Sequence, residues 1–217
     1  MTFCLNTKII PPDNAEKIEN VVILLHGYGG DGEDISMLTL NWKRFLKNTI
    51  FLCPNGYQVC DINPSGFQWF DLRKNDPKYI LDETKKAESI LNKFIDEVQI
   101  KYGISTSKIV LSGFSQGCMM VLNIALTSKY EFNCVVGFSG KIIDKADLEE
   151  RKKNVPKILL VHGDADEIVP VSNLLEAKDF LIRNNIDVNT KIISNCGHHI
   201  PIEASSAALH FIKKNLY

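Results

Sequence analysis

Residues 108–127 read KIVLSGFSQGCMMVLNIALT. The first five are a short aliphatic run and predict a strand over 108–112. From Gly117 the chain stays apolar to Leu126 without a breaker and predicts a helix. Between the two lies Gly113-Phe114-Ser115-Gln116-Gly117, a G-x-S-x-G string. A strand–turn–helix is the setting in which that string presents a serine hydroxyl. The backbone must turn sharply at Ser115, and the residues two before and two after come too close for side chains. The Gln116 N–H, at the helix start, then faces a developing oxyanion. The competing reading is a helix-entry turn with Ser115 as its N-cap; the strand on one side and the helix on the other favour the nucleophile.

Working outward, the same alternation repeats. Apolar runs at 21–27, 49–55, 134–140 and 157–163 join 108–114 as candidate strands, each ending at Gly, Pro, Ser or Asn. Continuous runs of this length suit strands buried on both faces of a parallel sheet. Residues 187–194 alternate more and fit a strand nearer an edge. Helical stripes occupy 35–47, 80–102, 116–129, 171–184 and 202–214, with Pro170 and Pro201 suited to first turns. The expectation is one α/β domain over 1–217: a mostly parallel sheet with helices on both faces. The long irregular stretch 54–79 reads as a functional lid or binding loop.

Composition narrows the function classes. The chain has 25 basic and 26 acidic residues, a net charge of −1, with no basic patch for nucleic acid or an anionic membrane. Its nearest approach to a charge run, DLEERKKN at 147–154, reads as a solvated helix face. Six cysteines stand apart without a C-x-x-C pair, so neither a disulfide framework nor a zinc site is expected. The start lacks the pattern of a secretory leader, no run approaches a membrane span, and no lipidation signal marks either end. A cytoplasmic protein without a stable membrane anchor is expected.

Three further stretches carry chemistry. HGYGGDGED, 26–34, lacks the G-K-[ST] of a phosphate loop. Following the first strong strand, it is placed to supply a second oxyanion N–H, from Tyr28. His26 and His162, at strand ends, read as structural. VHGDADEIVP, 161–170, offers Asp164 and Asp166 just past a strand, where either can orient a histidine and the other cap a turn. SNCGHHIP, 194–201, offers His198 and His199. The order Ser, Asp, His is that of the α/β-hydrolases, not of chymotrypsin-like or subtilisin-like proteases. Neighbours in an extended loop point in opposite directions, so one of the two histidines can serve as base. Gly197 mildly favours His198.

Together LLHGYGGDGED, PNG, WFD at 69–71, SGFSQGCMM, HGDADEIVP and GHHI resemble the phospholipase/carboxylesterase family of serine hydrolases, which includes the acyl-protein thioesterases. The resemblance spans nearly the whole chain, and the glycine-rich loop is closest to the bacterial carboxylesterase branch. It implies a compact α/β-hydrolase fold without a large cap domain. It also implies hydrolysis of short to medium acyl esters or thioesters, with no metal or organic cofactor. Carried over by position, Ser115 is the nucleophile, Asp166 the acid, His198 the base, and Tyr28 and Gln116 the oxyanion donors. Trp69 falls in a loop bordering the acyl site; with Phe70 it is expected either to line an acyl groove or to anchor the loop. The implied partner is a small acyl ester or thioester, a lipid or an acylated protein, bound by a monomer or homodimer. A peptidase, a hydrolase with cysteine at the elbow, and a non-catalytic binding protein of the same fold are the rival readings.

Overall fold

The computed structural model describes residues 2–13 and 17–217. In chain order its elements are β1 (Thr7–Ile10), β2 (Asn20–Leu25), α1 (Gly32–Ser36), α2 (Thr39–Trp42), β3 (Thr49–Pro54), β4 (Gln58–Cys60), β5 (Asn63–Gln68), α3 (Pro77–Tyr102), β6 (Ile109–Phe114), α4 (Gln116–Thr127), β7 (Cys134–Phe138), α5 (Lys145–Arg151), β8 (Ile158–Gly163), α6 (Ser172–Arg183), β9 (Val188–Ile193) and α7 (Ile202–Leu216). Seven strands form one sheet in the order β1-β3-β2-β6-β7-β8-β9, parallel throughout except for the β1–β3 pair.

All six β2 residues are buried. Successive side chains of a strand face opposite sides, so that pattern requires cover on both. Val21, Ile23 and Leu25 join Leu91, Phe94, Leu122 and Leu181 in one core. Val22 and Leu24 join Trp42, Ala208 and Ile212 in the other. Burying each such aliphatic side chain stabilises by about 1.5–3 kcal/mol. β9, at the sheet edge, shows the mixed burial that its alternating sequence predicts. This is the expected α/β-hydrolase arrangement, with helices on both faces and, among the described residues, no large cap.

Helix α3 shows how local chemistry sets its limits. The Asp76 side chain accepts the N–H groups of Lys78 and Tyr79, Pro77 starts the first turn, and Gly103 closes the helix at φ 63°. The helix therefore starts three residues before the apolar stripe that marks it in the sequence. The expected helix over 35–47 is instead the short pair α1 and α2.

The larger difference lies in the stretch read as irregular. Residues 58–68 fold into the antiparallel hairpin β4–β5, with a register shift between Val59 and Cys60. Its second strand, NPSGFQ, is mostly exposed at its start and contains Pro64, so no strand period marks it. Backbone bonds from Gly29 N–H to Phe67 C=O (2.9 Å) and from Phe67 N–H to Gly30 C=O (2.8 Å) dock it against the loop after β2.

Register then places the site. Leu25 pairs with Gly113, and Gly113 with Gly137. The carboxyl ends of β2, β6 and β7 are therefore level, and the loops leaving them meet at one edge, where open α/β sheets gather their ligands.

Candidate active site

Ser115 joins β6 to α4 with φ 52° and ψ −116°, a conformation that a non-glycine residue rarely holds. Its N–H is donated to the Phe138 carbonyl at 2.8 Å, which ties the turn to the neighbouring strand. A Cβ on Gly113 would collide with the Gly117 carbonyl, and one on Gly117 with the Leu25 carbonyl. Both glycines are thus required by close backbone approach, as their spacing about Ser115 predicts.

The Ser115 Oγ lies 3.0 Å from His198 Nε2, and His198 Nδ1 lies 2.7 Å from Asp166 Oδ2. Because an ionised carboxylate only accepts, Nδ1 carries the proton toward Asp166 and Nε2 is left to accept the serine hydroxyl. The other Asp166 oxygen accepts N–H groups from Ile168 (3.0 Å) and Val169 (2.8 Å). Burial pushes the Asp166 carboxyl up, but the His198 bond and the two backbone donors more than offset it and hold it below the usual carboxylate range. The Phe114 ring packs against the imidazole at 4.8 Å between centroids and limits its swing. His198 remains 18% exposed at its side chain, whereas that of Asp166 is fully covered.

Position separates the paired candidates. Asp164 is exposed, and its backbone N–H bonds the Ile193 carbonyl at 3.0 Å; Asp166 faces the imidazole. His199 is exposed, and its Nε2 stands 3.8 Å from Cys196 Sγ. His162 is buried with Nε2 2.7 Å from the Val169 carbonyl, pinning the segment whose N–H groups hold Asp166.

Two backbone amides complete the geometry. Among the described residues, neither the Tyr28 N–H nor the Gln116 N–H is donated to a protein acceptor. His26 sets the first of them. Its Nε2 accepts the Gly56 N–H at 2.9 Å, so its proton sits on Nδ1, 2.7 Å from the Gly27 carbonyl. That carbonyl and the Tyr28 N–H belong to one rigid peptide plane and point opposite ways. Holding the carbonyl therefore aims the amide. Burial lowers the His26 pKa and keeps the ring neutral, the state that this double bond requires.

The Gln116 side chain braces the second amide. Its Oε1 accepts the Trp69 N–H at 2.8 Å and its Nε2 donates to the Phe70 carbonyl at 2.7 Å. The Trp69 indole N–H is donated to the His26 carbonyl at 2.9 Å. Trp69 and Phe70 are each 1% exposed. Of their two expected placements, these are the contacts of loop anchors. Asp71 continues the anchoring: it accepts the Arg73 N–H (2.8 Å), its Nε–H (2.7 Å) and the Tyr79 hydroxyl (2.7 Å). The Arg73 bond, foremost, holds the Asp71 carboxyl far below its ordinary range. His26 is structural, as its place at a strand end predicts, whereas the sequence reading missed the bracing roles of Gln116 and Asp71. The WFD string marked the place but not the partners, which are distant in sequence for Trp69 and Phe70 and near for Asp71.

A cavity of about 480 Å³ opens beside His198, Gly27 and Tyr28, with Phe114 and Ser205 also in its lining. Cys118 lies beneath Gly140, and burial raises its thiol pKa to about 12, so it is not a competing nucleophile. Among the described residues no group of three His, Cys, Asp or Glu side chains is placed to hold a metal, and no helix is long and apolar enough to cross a membrane.

Comparison with known proteins places this geometry in context. The family model described as Phospholipase/Carboxylesterase matches residues 6–216. Acyl-protein thioesterase 1 of Kluyveromyces lactis is 30% identical, over 93% of this chain and 94% of that protein. Esterase YpfH of Escherichia coli is 26% identical, over 90% and 82%. The crystal structure of esterase PE8 superposes with a TM-score of 0.93 at 33% identity, covering 98% of this chain and 99% of that one.

Proposed function

The chain belongs to the phospholipase/carboxylesterase family and is a hydrolase acting on ester bonds; on that premise we propose that it cleaves carboxylic esters or thioesters of short to medium acyl chains through an acyl-enzyme on Ser115. His198 Nε2 takes the hydroxyl proton as Oγ attacks the acyl carbon. The Tyr28 and Gln116 N–H groups receive the oxyanion, each contributing roughly 3 kcal/mol to the transition state. Asp166 holds the Nδ1–H tautomer and steadies the imidazolium. His198 then protonates the departing alcohol or thiol. Water enters, gives its proton to His198, and attacks the acyl carbon; Ser115 leaves and recovers that proton.

One observation carries this reading: the unbroken line from Ser115 Oγ through His198 to Asp166, with bonds of 3.0 and 2.7 Å. The Kluyveromyces lactis protein's name supports acylated protein as one substrate class, and the name of the Escherichia coli esterase supports esters. The test is a fluorophosphonate probe followed by a rate panel of p-nitrophenyl esters, acyl thioesters and lysophospholipids. An adduct on Ser115, absent in Ser115→Ala, is expected together with turnover of at least one ester class. An unlabelled protein with uniformly negligible turnover would sink the proposal.

A further inference from the structure

The structure also says which part of a substrate the cavity beside the triad holds. Ester cleavage sends the two substituents of the acyl carbon to different places. The departing oxygen or sulfur must meet His198 Nε2, which protonates it. The remainder of the leaving group then extends past the imidazole. The cavity of about 480 Å³ lies on that side: His198, Gly27 and Tyr28 line it, whereas Ser115, Gln116, Trp69 and Phe70 do not. Its volume falls within the range of small-molecule sites.

The lining defines the guest. Leu38, Phe114 and Ile200 are half-buried apolar walls, and Met37 and Ile202 are exposed at the mouth, at 62% and 67%. The buried Ser205 hydroxyl accepts the Trp42 indole N–H at 2.9 Å, so it presents a hydroxyl hydrogen as donor. No Lys or Arg side chain lines the cavity; its one carboxylate is Asp34, exposed at the rim. A negative group seated there would lie near a like charge, with the imidazoles of His26, His198 and His199 but no Lys or Arg in the lining to balance it, which disfavours it.

We propose that this cavity is the leaving-group site and that it selects neutral, bulky, largely apolar alcohols or thiols over anionic ones. The inference rests on the Ser115 acyl-enzyme reading and deepens it. By microscopic reversibility the same cavity seats an added alcohol during deacylation. The alcohol oxygen attacks the acyl carbon and gives its proton to His198, and Ser115 departs with that proton, yielding a new ester.

The experiment fixes the acyl part as butyryl and varies the leaving group among methyl, benzyl and para-carboxybenzyl. The value of kcat/KM is measured for the parent, Ile202→Trp, Leu38→Trp and Asp34→Asn. Referring each ratio to the parent cancels the esters' intrinsic reactivity. Either tryptophan should lower the benzyl-over-methyl ratio about ten-fold or more, since a single methylene in an apolar pocket is worth that much. Asp34→Asn should raise the para-carboxybenzyl-over-benzyl ratio about five-fold, as relief of one exposed like-charge contact. Parent butyryl-enzyme should be captured by benzyl alcohol in preference to methanol, and the tryptophan variants should lose that preference. Ile202→Trp sits at the exposed mouth and does not require the core to repack, so it decides the matter if Leu38→Trp fails to fold. Unchanged ratios in an enzyme that labels at Ser115 and turns over esters overturn this inference alone. So does a shift, in the same variants, of the preferred acyl length from acetyl to decanoyl esters, which would place the acyl chain in the cavity. Absence of labelling and of all turnover removes the underlying reading instead.

Discussion

In the loops that follow β6, β8 and β9, contact with the site runs through side chains that carry or accept a proton: Ser115, Asp166 and His198. In the segment that holds β4 and β5, the ties are backbone groups, one buried indole and the Asn63 amide, which donates to the Gly29 carbonyl. Trp69 N–H, Phe70 C=O and the Trp69 indole fasten it to Gln116 and His26. On the proposed mechanism the first region loses a reaction when one atom is changed. The second region loses rigidity, because its bonds orient amides without entering the chemistry. Substitutions in the two regions should therefore separate into those that act on rate and those that act on stability.

The sharpest way to break that separation lies within the first region. His198→Ala should lower kcat/KM by ~10⁴-fold or more, as for a triad base, with little change in melting temperature. His199→Ala, one residue on, should cost less than about ten-fold. Reversed values would move the base by one position. Asp166→Asn should follow at ~10³–10⁴-fold, since the amide's NH2 can only face the imidazole as a donor and turns it to the wrong tautomer. Single-turnover kinetics on a p-nitrophenyl ester reads both.

Gln116→Ala tests the boundary between the regions, because it keeps the oxyanion amide and removes only the side-chain brace. It should reduce kcat by about ten-fold and also cost stability, as leaving a buried amide partner unsatisfied costs ~1–3 kcal/mol. A change confined to rate would place this side chain in the reacting region. Trp69→Phe, wholly in the second region, should lose roughly 1–3 kcal/mol in denaturant unfolding by orphaning the His26 carbonyl, with kcat nearly unchanged.

The smallest effect is electrostatic. His26 is held neutral with a pKa below the ordinary 6.5. Below that value the unfolded chain binds a proton there that the folded chain does not, so stability rises with pH through this window and falls on acidification. The slope approaches about 1.4 kcal/mol per pH unit at most. His26→Gln should flatten it below about pH 6.5, as measured by unfolding midpoints. Nearer pH 4 and below, Asp166 and Asp71, both held low in the fold, add their own loss as they protonate.

Much of the fold was legible in the chain. Five strands lie where the continuous apolar runs put them, because residues buried on both faces leave no polar alternation to misread, and β9 lies where the alternating run 187–194 put it. The site was legible where chemistry imposes local spacing. Gly113 and Gly117 mark Ser115, since no side chain fits beside that turn. The hairpin was not legible: β4 is short, β5 carries Pro64, and the backbone groups that dock Phe67, those of Gly29 and Gly30, lie distant in sequence.

The sequence by itself determined the parallel sheet, the strained serine turn and the order Ser115, Asp166, His198, because burial on two faces and close backbone approach constrain residue type locally. Only the tertiary structure converted an irregular stretch into a brace, turned Trp69 and Phe70 into loop anchors, and opened a cavity between α1, α2 and α7. Those outcomes depend on where distant peptide planes and side chains meet. That meeting is decided by the packing of whole elements and leaves no periodic mark in the chain.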